Sequence, residues 1–445
     1  MAPRTVADAR SPHRPARAHA GLRTAAPRWP LAVLEVAVAV VAALTLPRLE
    51  YHFGWHLGLH YDAATAQATL SAIAAGMITL TGFVLTAVTL MIQTVQNQSS
   101  RLLNLLNRTD NTPILFGTFT ATFSFALLVL SLVHGNRVPT ISVTVALIMV
   151  LVCASLFLRL LVTFRTTLTV GGLTRTIGGR LRTLIDVMYP SPFDPAAADT
   201  AERTGPPGAG QRQAWVLRHT REPGYFQAFN EPAVVRLAAG RGTVITFVPA
   251  VGDFVVTGAV LAMGTGPAPE PAALRRLIRV GATRTLEQDP AYGLRILVDI
   301  AERALSPAVN DPTSAVQALD QIDDILQRLA GRSLGDGQLL DARGRVLVRY
   351  PAPTWDAFFA LAIDEILRYG GGSLQVTRRL RALLEDLLAS APAVRQTPVR
   401  ARLAALERAV RREFPDEQTA SAAARPDRQG IGSARDDQNE QHGPF

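Results

Sequence analysis

The fold is decided by an uncharged stretch from Leu70 to Val95, whose sequence is LSAIAAGMITLTGFVLTAVTLMIQTV. A helix needs about 20 predominantly apolar residues to cross the hydrocarbon core of a bilayer, and this stretch is long enough. Three further apolar stretches flank it, namely Pro30 to Leu46, Pro113 to His134 and Thr140 to Phe164. The sequence therefore predicts an α-helical membrane protein, with a four-helix transmembrane unit over residues 29–170. The first stretch is short and contains Glu35, so a helix lying on the membrane surface is an alternative for it.

A regular stripe of small and polar residues follows one face of the second span. Large residues such as Met77, Val84 and Val88 lie on its other faces. Hydroxyl and amide groups facing hydrocarbon would lack partners, so we expect the stripe to avoid lipid. Two interpretations stay open: close helix packing through small residues, or a water-lined pathway in which copies of this helix surround an axis. The candidate residues for either role are Thr79, Gly82, Thr86, Thr89, Gln93 and Gln96.

The distribution of arginine around the spans predicts their orientation. The N-terminal arm, residues 1–28, contains six arginines, whereas the loop from Pro47 to Gln67 contains only Arg48. Two arginines follow the second span, one lies between the third and fourth spans, and four follow the fourth span by residue 182. Basic loops are retained in the cytoplasm. Both termini are therefore predicted to be cytoplasmic.

The composition excludes several classes of protein. The chain contains 45 arginines and no lysine. A P-loop nucleotide site and a Schiff-base enzyme both need a lysine, so both are excluded. Cys153 is the single cysteine, which excludes an internal disulfide and a paired-cysteine metal site. The net charge of +9 arises largely beside the apolar spans, where it serves orientation, so nucleic acid is not expected as a partner. No catalytic or cofactor-binding motif is present, and the sequence predicts neither an enzyme nor a bound cofactor or metal.

The remainder of the chain predicts an α+β cytoplasmic domain that combines a small β-rich module with a helical bundle. A helical extension and linker occupy residues 171–213, the β-rich module residues 214–268, and the mainly helical domain residues 269–414. Residues 1–28 and 415–445 lack an apolar pattern and are predicted to be disordered. The predicted helices of the last domain are Pro271 to Gly281, Pro290 to Leu305, Pro312 to Leu329, Trp355 to Tyr369, Leu374 to Leu388 and Pro392 to Phe414, with a hairpin at Gln338 to Tyr350.

Six acidic or amide residues surround two of these helix starts: Glu287, Asp289, Asp299, Glu302, Asn310 and Asp311. Asp289 and Asp311 each precede a proline, the pattern of an N-cap residue followed by proline at the first helical position. We expect capping to explain both aspartates. Gathered oxygen ligands could instead bind Mg²⁺ or Ca²⁺, and that interpretation is the alternative.

A family resemblance is carried by the sequences RTLEQDPAYGLR at Arg284 to Arg295 and DIAERALSPAVNDP at Asp299 to Pro312. It extends to Gly252-Asp253-Phe254-Val255 and to the polar second span. Over roughly residues 35–410 the chain resembles an uncharacterised bacterial family of predicted membrane proteins, domain of unknown function 2254. The resemblance implies a multi-pass protein of the bacterial inner membrane with four spans. It brings no catalytic residues with it.

Two functions are consistent with these patterns. The leading hypothesis is an integral membrane protein that forms a homo-oligomeric channel or transport-related assembly, with the polar second helix lining a pathway. The alternative is a membrane-anchored sensor or scaffold whose spans only hold the cytoplasmic domain at the bilayer. In either case, the lipid bilayer is the first partner.

Overall fold

The computed structural model describes residues 29–53, 61–98, 112–133, 138–167, 169–195 and 213–431. The chain divides into an N-terminal unit, residues 23–172, and a C-terminal unit that starts at Leu173. The predictions for the N-terminal arm, for residues 196–212 of the linker and for residues 432–445 lie outside the described residues.

The described part of the N-terminal unit consists of four helices, each long and apolar enough to cross a membrane. They are α1 (Trp29–Phe53), α2 (Ala63–Gln98), α3 (Thr112–Leu132) and α4 (Thr140–Thr167). The four apolar helices that the sequence predicted are thus confirmed. The structure differs at the first, because α1 continues through Pro47 to Phe53 and is 25 residues long. Its length therefore no longer argues against a spanning helix.

The central helix of this unit is α3, against which α1, α2 and α4 all pack. Phe119 and Phe125 of α3 are fully buried. Gly117 permits a close approach to α1, since a Cβ atom at that position would lie 2.8 Å from the Cβ of Ala32. Small residues at a helix crossing allow such contacts inside a membrane, where packing replaces the hydrophobic effect between helices.

The helices of the C-terminal unit form a bundle. Its helices and the preceding ones of this unit are α5 (Val170–Met188), α6 (Glu231–Arg241), α7 (Pro271–Arg276), α8 (Pro290–Leu305), α9 (Pro312–Ala330), α10 (Trp355–Gly370), α11 (Leu374–Ser390), α12 (Gln396–Glu413) and α13 (Glu417–Ala423). The helix α8 packs on α9 and α10, α9 packs on α11, and α11 packs on α12. The extension α5 joins this bundle, because Leu181 fills the space beside Gly293 of α8 and Arg182 pairs with Asp324 of α9 at 2.9 Å.

The strands of the C-terminal unit form two sheets around one aromatic core. The strands are β1 (Trp215–Arg218), β2 (Gly224–Phe229), β3 (Val244–Phe247), β4 (Phe254–Val255), β5 (Val260–Thr265), β6 (Ile278–Gly281), β7 (Gln338–Leu340) and β8 (Val346–Arg349). A five-stranded sheet has the order β1-β5-β3-β8-β7, parallel only between β3 and β8, and an antiparallel sheet has the order β4-β2-β6. The buried rings of Phe226, Phe229 and Phe247 contact one another at the centre.

The β-rich part is therefore not the continuous module of residues 214–268. The helix predicted from Pro271 ends at Arg276, and Ile278–Gly281 forms the strand β6, which pairs with β2. The alternation of Ile278, Arg279 and Val280 suits an extended strand better than a helix face. The predicted hairpin is present, and its strand β8 completes the five-stranded sheet by pairing with β3. Long-range strand pairing of this kind leaves no local signal in the sequence.

The structure also continues beyond the predicted end of the helical domain at residue 414. Asp416 caps the short helix α13 by accepting hydrogen bonds from Thr419. The following segment lies on α11, where the Asp427 backbone N–H donates to the Arg378 carbonyl oxygen at 3.1 Å. These contacts are polar. An apolar periodicity, which was the basis for predicting disorder here, could not have detected them.

Candidate functional site

The polar stripe of α2 lies on the outside of the N-terminal unit. All six candidate residues are exposed in the single chain: Thr79, Gly82, Thr86, Thr89, Gln93 and Gln96. The side chains of α2 that are buried within the unit are apolar, and they include Leu70, Met77, Val84 and Val88. No atom of the described chain lies within 4 Å of the place where a Cβ at Gly82 would be. The helix thus packs against its own unit with an apolar face, and its exposed side carries both the stripe and large apolar side chains such as Phe83 and Leu85.

The threonines of the stripe satisfy their hydroxyl protons within their own helix. Thr79 donates to the Ala75 carbonyl at 3.1 Å, Thr86 to the Gly82 carbonyl at 3.1 Å, and Thr89 to the Leu85 carbonyl at 2.9 Å. A threonine that bonds its i−4 carbonyl is far less costly in an apolar environment than a free hydroxyl. Within the stripe, the glutamine amides therefore still need hydrogen-bond partners, whereas these threonine hydroxyls do not.

Two carboxylates of α1 contact other helices of the N-terminal unit. Glu35 accepts a hydrogen bond from the Thr118 hydroxyl of α3 at 3.2 Å. Glu50, which the sequence analysis did not single out, is only 4% exposed and accepts hydrogen bonds at the start of α4, including one from the Ser142 backbone N–H at 2.8 Å. The only available signal was an acidic residue just beyond an apolar stretch, which does not reveal its partner.

Asp289 joins two of the segments that carry the family resemblance, Arg284 to Arg295 and Gly252 to Val255. Its Oδ1 accepts from the Tyr292 backbone N–H at 2.9 Å, so it is the N-cap of α8, and its Oδ2 lies 2.8 Å from Nη2 of Arg284. Gly252, with φ of +98°, passes so close that a Cβ there would lie 2.5 Å from Oδ2 of Asp289. Burial raises the pKa of Asp289, and Arg284 opposes that rise. This arrangement holds a turn of the β-rich part against a helix start.

The other members of the acidic group occupy separate places. Asp311 is the N-cap of α9 and accepts from the Ser314 backbone N–H at 3.1 Å, while Asn310 adopts a left-handed conformation with φ of +46°. Glu287 forms an ion pair with Arg279 of β6. Capping by both aspartates is thus as the Asp-Pro pattern predicts. Within the described ranges, no group of three or more His, Cys, Asp or Glu side chains has the arrangement of a metal site.

Arg295 gathers the last two members of the acidic group together with a third carboxylate. Its Nε lies 2.6 Å from Asp299, its Nη2 lies 2.9 Å from Glu302, and its Nη1 contacts Glu365 of α10. Partial burial and a hydrogen bond with Glu365 raise the pKa of Glu302 to about 7. One guanidinium cannot neutralise three carboxylates, so the two glutamates share a proton that they lose as the pH rises to about 7. Glu365 was not predicted from the sequence, because it lies 70 positions away from Arg295.

Comparisons with known proteins agree with the four apolar helices. The family model of predicted membrane proteins known as DUF2254 matches residues 26–386. An uncharacterized protein of Mycobacterium bovis is 30% identical over 413 residues, which cover 87% of this chain and 77% of the relative. An uncharacterized protein of Mycobacterium tuberculosis matches with the same identity and coverage. No solved structure matches the chain. The matched region includes the four apolar helices and most of the C-terminal unit, and the chain belongs to the DUF2254 family of predicted membrane proteins.

Proposed function

We propose that this protein assembles into a homo-oligomer in the bilayer, in which copies of α2 surround a polar pathway, and that it acts as a channel or transport-related protein. The observation that carries the proposal is the outward position of the stripe. Six small or polar residues of α2 are exposed in the single chain, while the large apolar side chains Met77, Val84 and Val88 of the same helix are buried.

The exposed side of α2 combines this stripe with large apolar side chains such as Phe83 and Leu85, so only the part that lies outside the stripe suits lipid. The Gln93 side chain alone carries two amide donors and an acceptor oxygen, and hydrocarbon satisfies none of them. Either water or a neighbouring copy of the chain can. Gly76 and Gly82 leave open space beside the stripe, which would let a second helix or a column of water approach.

The C-terminal unit is proposed to lie in the cytoplasm, with both chain termini on that side of a bacterial inner membrane. The support is the arginine asymmetry: the N-terminal arm contains six arginines, whereas Arg48 lies near the end of α1 and the residues between α1 and α2 contain none. A reporter inserted within residues 196–212 should be active only in the cytoplasm, and one inserted within residues 57–62 only outside. The reverse pattern would overturn the orientation.

The anchored sensor or scaffold is the second candidate, and one observation favours it. The hydroxyls of Thr79, Thr86 and Thr89 are already bonded within α2, so most of the stripe tolerates lipid without any pathway. On this interpretation the N-terminal unit would only hold the C-terminal unit at the membrane.

Cysteine accessibility separates the two functions. In a Cys153→Ala background, Thr86→Cys and Leu85→Cys form a matched pair, since both positions are exposed and adjacent but only Thr86 belongs to the stripe. A pathway predicts that Thr79→Cys, Thr86→Cys and Thr89→Cys react with a charged, water-soluble thiol reagent, while Leu85→Cys in lipid does not. Val84→Cys, buried within the unit, should also stay protected.

Equal protection of Thr86→Cys and Leu85→Cys would remove the pathway. In that case Gly82→Leu distinguishes the remaining alternatives, because a bulky side chain would break a close interface between copies and would leave a lipid-facing anchor unaffected. The oligomeric state of the purified protein is the measurement.

A further inference from the structure

A cavity of about 360 Å³ opens between the two sheets of the C-terminal unit. It lies where the chain leaves β1 in the five-stranded sheet and enters β2 in the other, so its wall is the turn of residues 219–223. Its floor is apolar and consists of Leu261, Ile278 and Val280. A volume in this range with a few polar groups at its edge is typical of a small-molecule site.

The polar edge of this cavity is basic. Arg221 comes from the β1–β2 turn, Arg275 comes from the end of α7, and Glu222 is the single carboxylate among the lining residues. Neither arginine forms an ion pair with a carboxylate among the described residues. Arg218, just before the turn, does not line the cavity, and its guanidinium donates to the Gly258 carbonyl oxygen at 2.9 Å. Unpaired guanidinium groups at the edge of a concave site concentrate anions there.

The guanidinium of Arg275 is incompletely satisfied in the observed conformation. Among the described residues, its Nε is shielded from solvent and has no hydrogen-bond acceptor, and its Nη2 lies 3.4 Å from the Arg218 carbonyl oxygen. A buried donor without an acceptor is destabilising, and such groups in folded proteins commonly indicate an ion or a water that completes them. An anion in the cavity would supply the hydrogen-bond acceptor that the Arg275 guanidinium lacks.

The turn that carries Arg221 is held in place by its own contacts. The buried His219 ring has its Nε2 2.8 Å from the Glu222 carbonyl oxygen, and the Thr257 hydroxyl donates to the Arg221 carbonyl oxygen at 2.8 Å. The backbone at Arg221 is thus fixed from two sides, while its side chain is free of ion pairs. A binding site whose backbone is already ordered loses less entropy when a ligand binds.

We propose that this cavity binds a small organic anion, with a phosphate group held by Arg221 and Arg275 and an apolar body resting on Leu261, Ile278 and Val280. Guanidinium groups match phosphate oxygens in geometry and charge. Together the two guanidinium groups can pair with the three oxygens of a phosphate group, which a single carboxylate does not offer. The ligand is either a soluble organic phosphate or the headgroup of an anionic lipid. The site is independent of the pathway proposed for α2.

The test uses the full-length protein in detergent, with phenyl phosphate as the probe. Phenyl phosphate should raise the melting temperature in a saturable way and bind more tightly than inorganic phosphate, which lacks the apolar body, whereas phenol should have no effect. Arg275→Gln and Arg221→Gln should each weaken binding by roughly tenfold or more. Arg276→Gln is the matched control, because Arg276 is exposed on the same helix and does not line the cavity.

The proposal is wrong if phenyl phosphate does not stabilise the protein in a saturable way. It is also wrong if phenyl phosphate stabilises the wild type and both arginine variants equally. Circular dichroism of each variant, with an unchanged spectrum, establishes that lost binding is not lost folding. The two ligand sources are then separated in nanodiscs. Phosphatidic acid in a phosphatidylcholine nanodisc should compete with phenyl phosphate if the natural ligand is a headgroup, and it should not compete if the ligand is soluble.

Discussion

The carboxylate of Glu50 caps the start of α4, where its Oε1 accepts a hydrogen bond from the Ser142 backbone N–H at 2.8 Å. Its Oε2 accepts from the Ile141 N–H at 2.9 Å, and the Ser142 hydroxyl donates to Oε1 as well. The first N–H groups of a helix lack partners within that helix and carry partial positive charge, so a buried carboxylate stabilises them. One side chain at the end of α1 therefore fixes the position at which α4 begins.

Replacing Glu50 should destabilise the N-terminal unit. Glu50→Ala leaves two backbone N–H groups without an acceptor and should lower the free energy of unfolding by about 2 kcal/mol. Glu50→Gln keeps one acceptor oxygen and should lose less. Ser142→Ala is the control, because it removes only the hydroxyl and leaves both backbone hydrogen bonds. Denaturant unfolding of the purified protein in detergent is the measurement, and a Glu50→Ala variant as stable as the wild type would contradict the capping role.

Gly117 and Gly82 offer a second, paired prediction. Gly117→Ala places a methyl group 2.8 Å from the Ala32 Cβ, so α1 and α3 must separate, and overpacking of this kind typically lowers stability by about 1–3 kcal/mol. Gly82→Ala meets open space within the described chain and should leave the unfolding of the single chain unchanged. Thermal melting of both variants compares them directly. Equal losses would mean that the α1–α3 contact is not the close one described.

Local features were predictable from the sequence, and contacts between distant residues were not. The four apolar helices and the caps at Asp289 and Asp311 depend on residues within one helix, which leave a periodicity or a dipeptide pattern. Glu365 reaches Arg295 across 70 positions, and Glu50 reaches Ser142 across 92. Neither partner follows from spacing. The outward position of the α2 stripe was equally undetermined, because a helical period defines opposite faces without saying which one is buried.

The two Asp-Pro caps should differ in strength, although their sequence pattern is the same. Asp311→Ala removes a cap from a partly exposed position and should lower stability by about 1 kcal/mol. Asp289→Ala also removes the ion pair with Arg284, whose side chain is 35% exposed and can be solvated, and should lower stability by about 2 kcal/mol. Thermal unfolding of the two variants measures the difference. Equal losses would show that the Arg284 pair contributes nothing beyond the cap.

The protonation of Glu302 should make stability depend on pH in a predictable direction. Its pKa in the folded protein, about 7, lies above its ordinary value of 4.5, so the folded state binds the proton more tightly than the unfolded chain does. The resulting stabilisation is fully present below about pH 4.5 and is lost as the pH rises to about 7. Glu302→Gln imitates the protonated acid at every pH. The melting temperature of this variant minus that of the wild type should therefore increase between about pH 4.5 and about pH 7, and it should stay constant at higher pH. Glu385→Gln, at the Arg381 ion pair on α11, is the control and should run parallel to the wild type. A constant difference between Glu302→Gln and the wild type at every pH would show that the two glutamates do not share a proton.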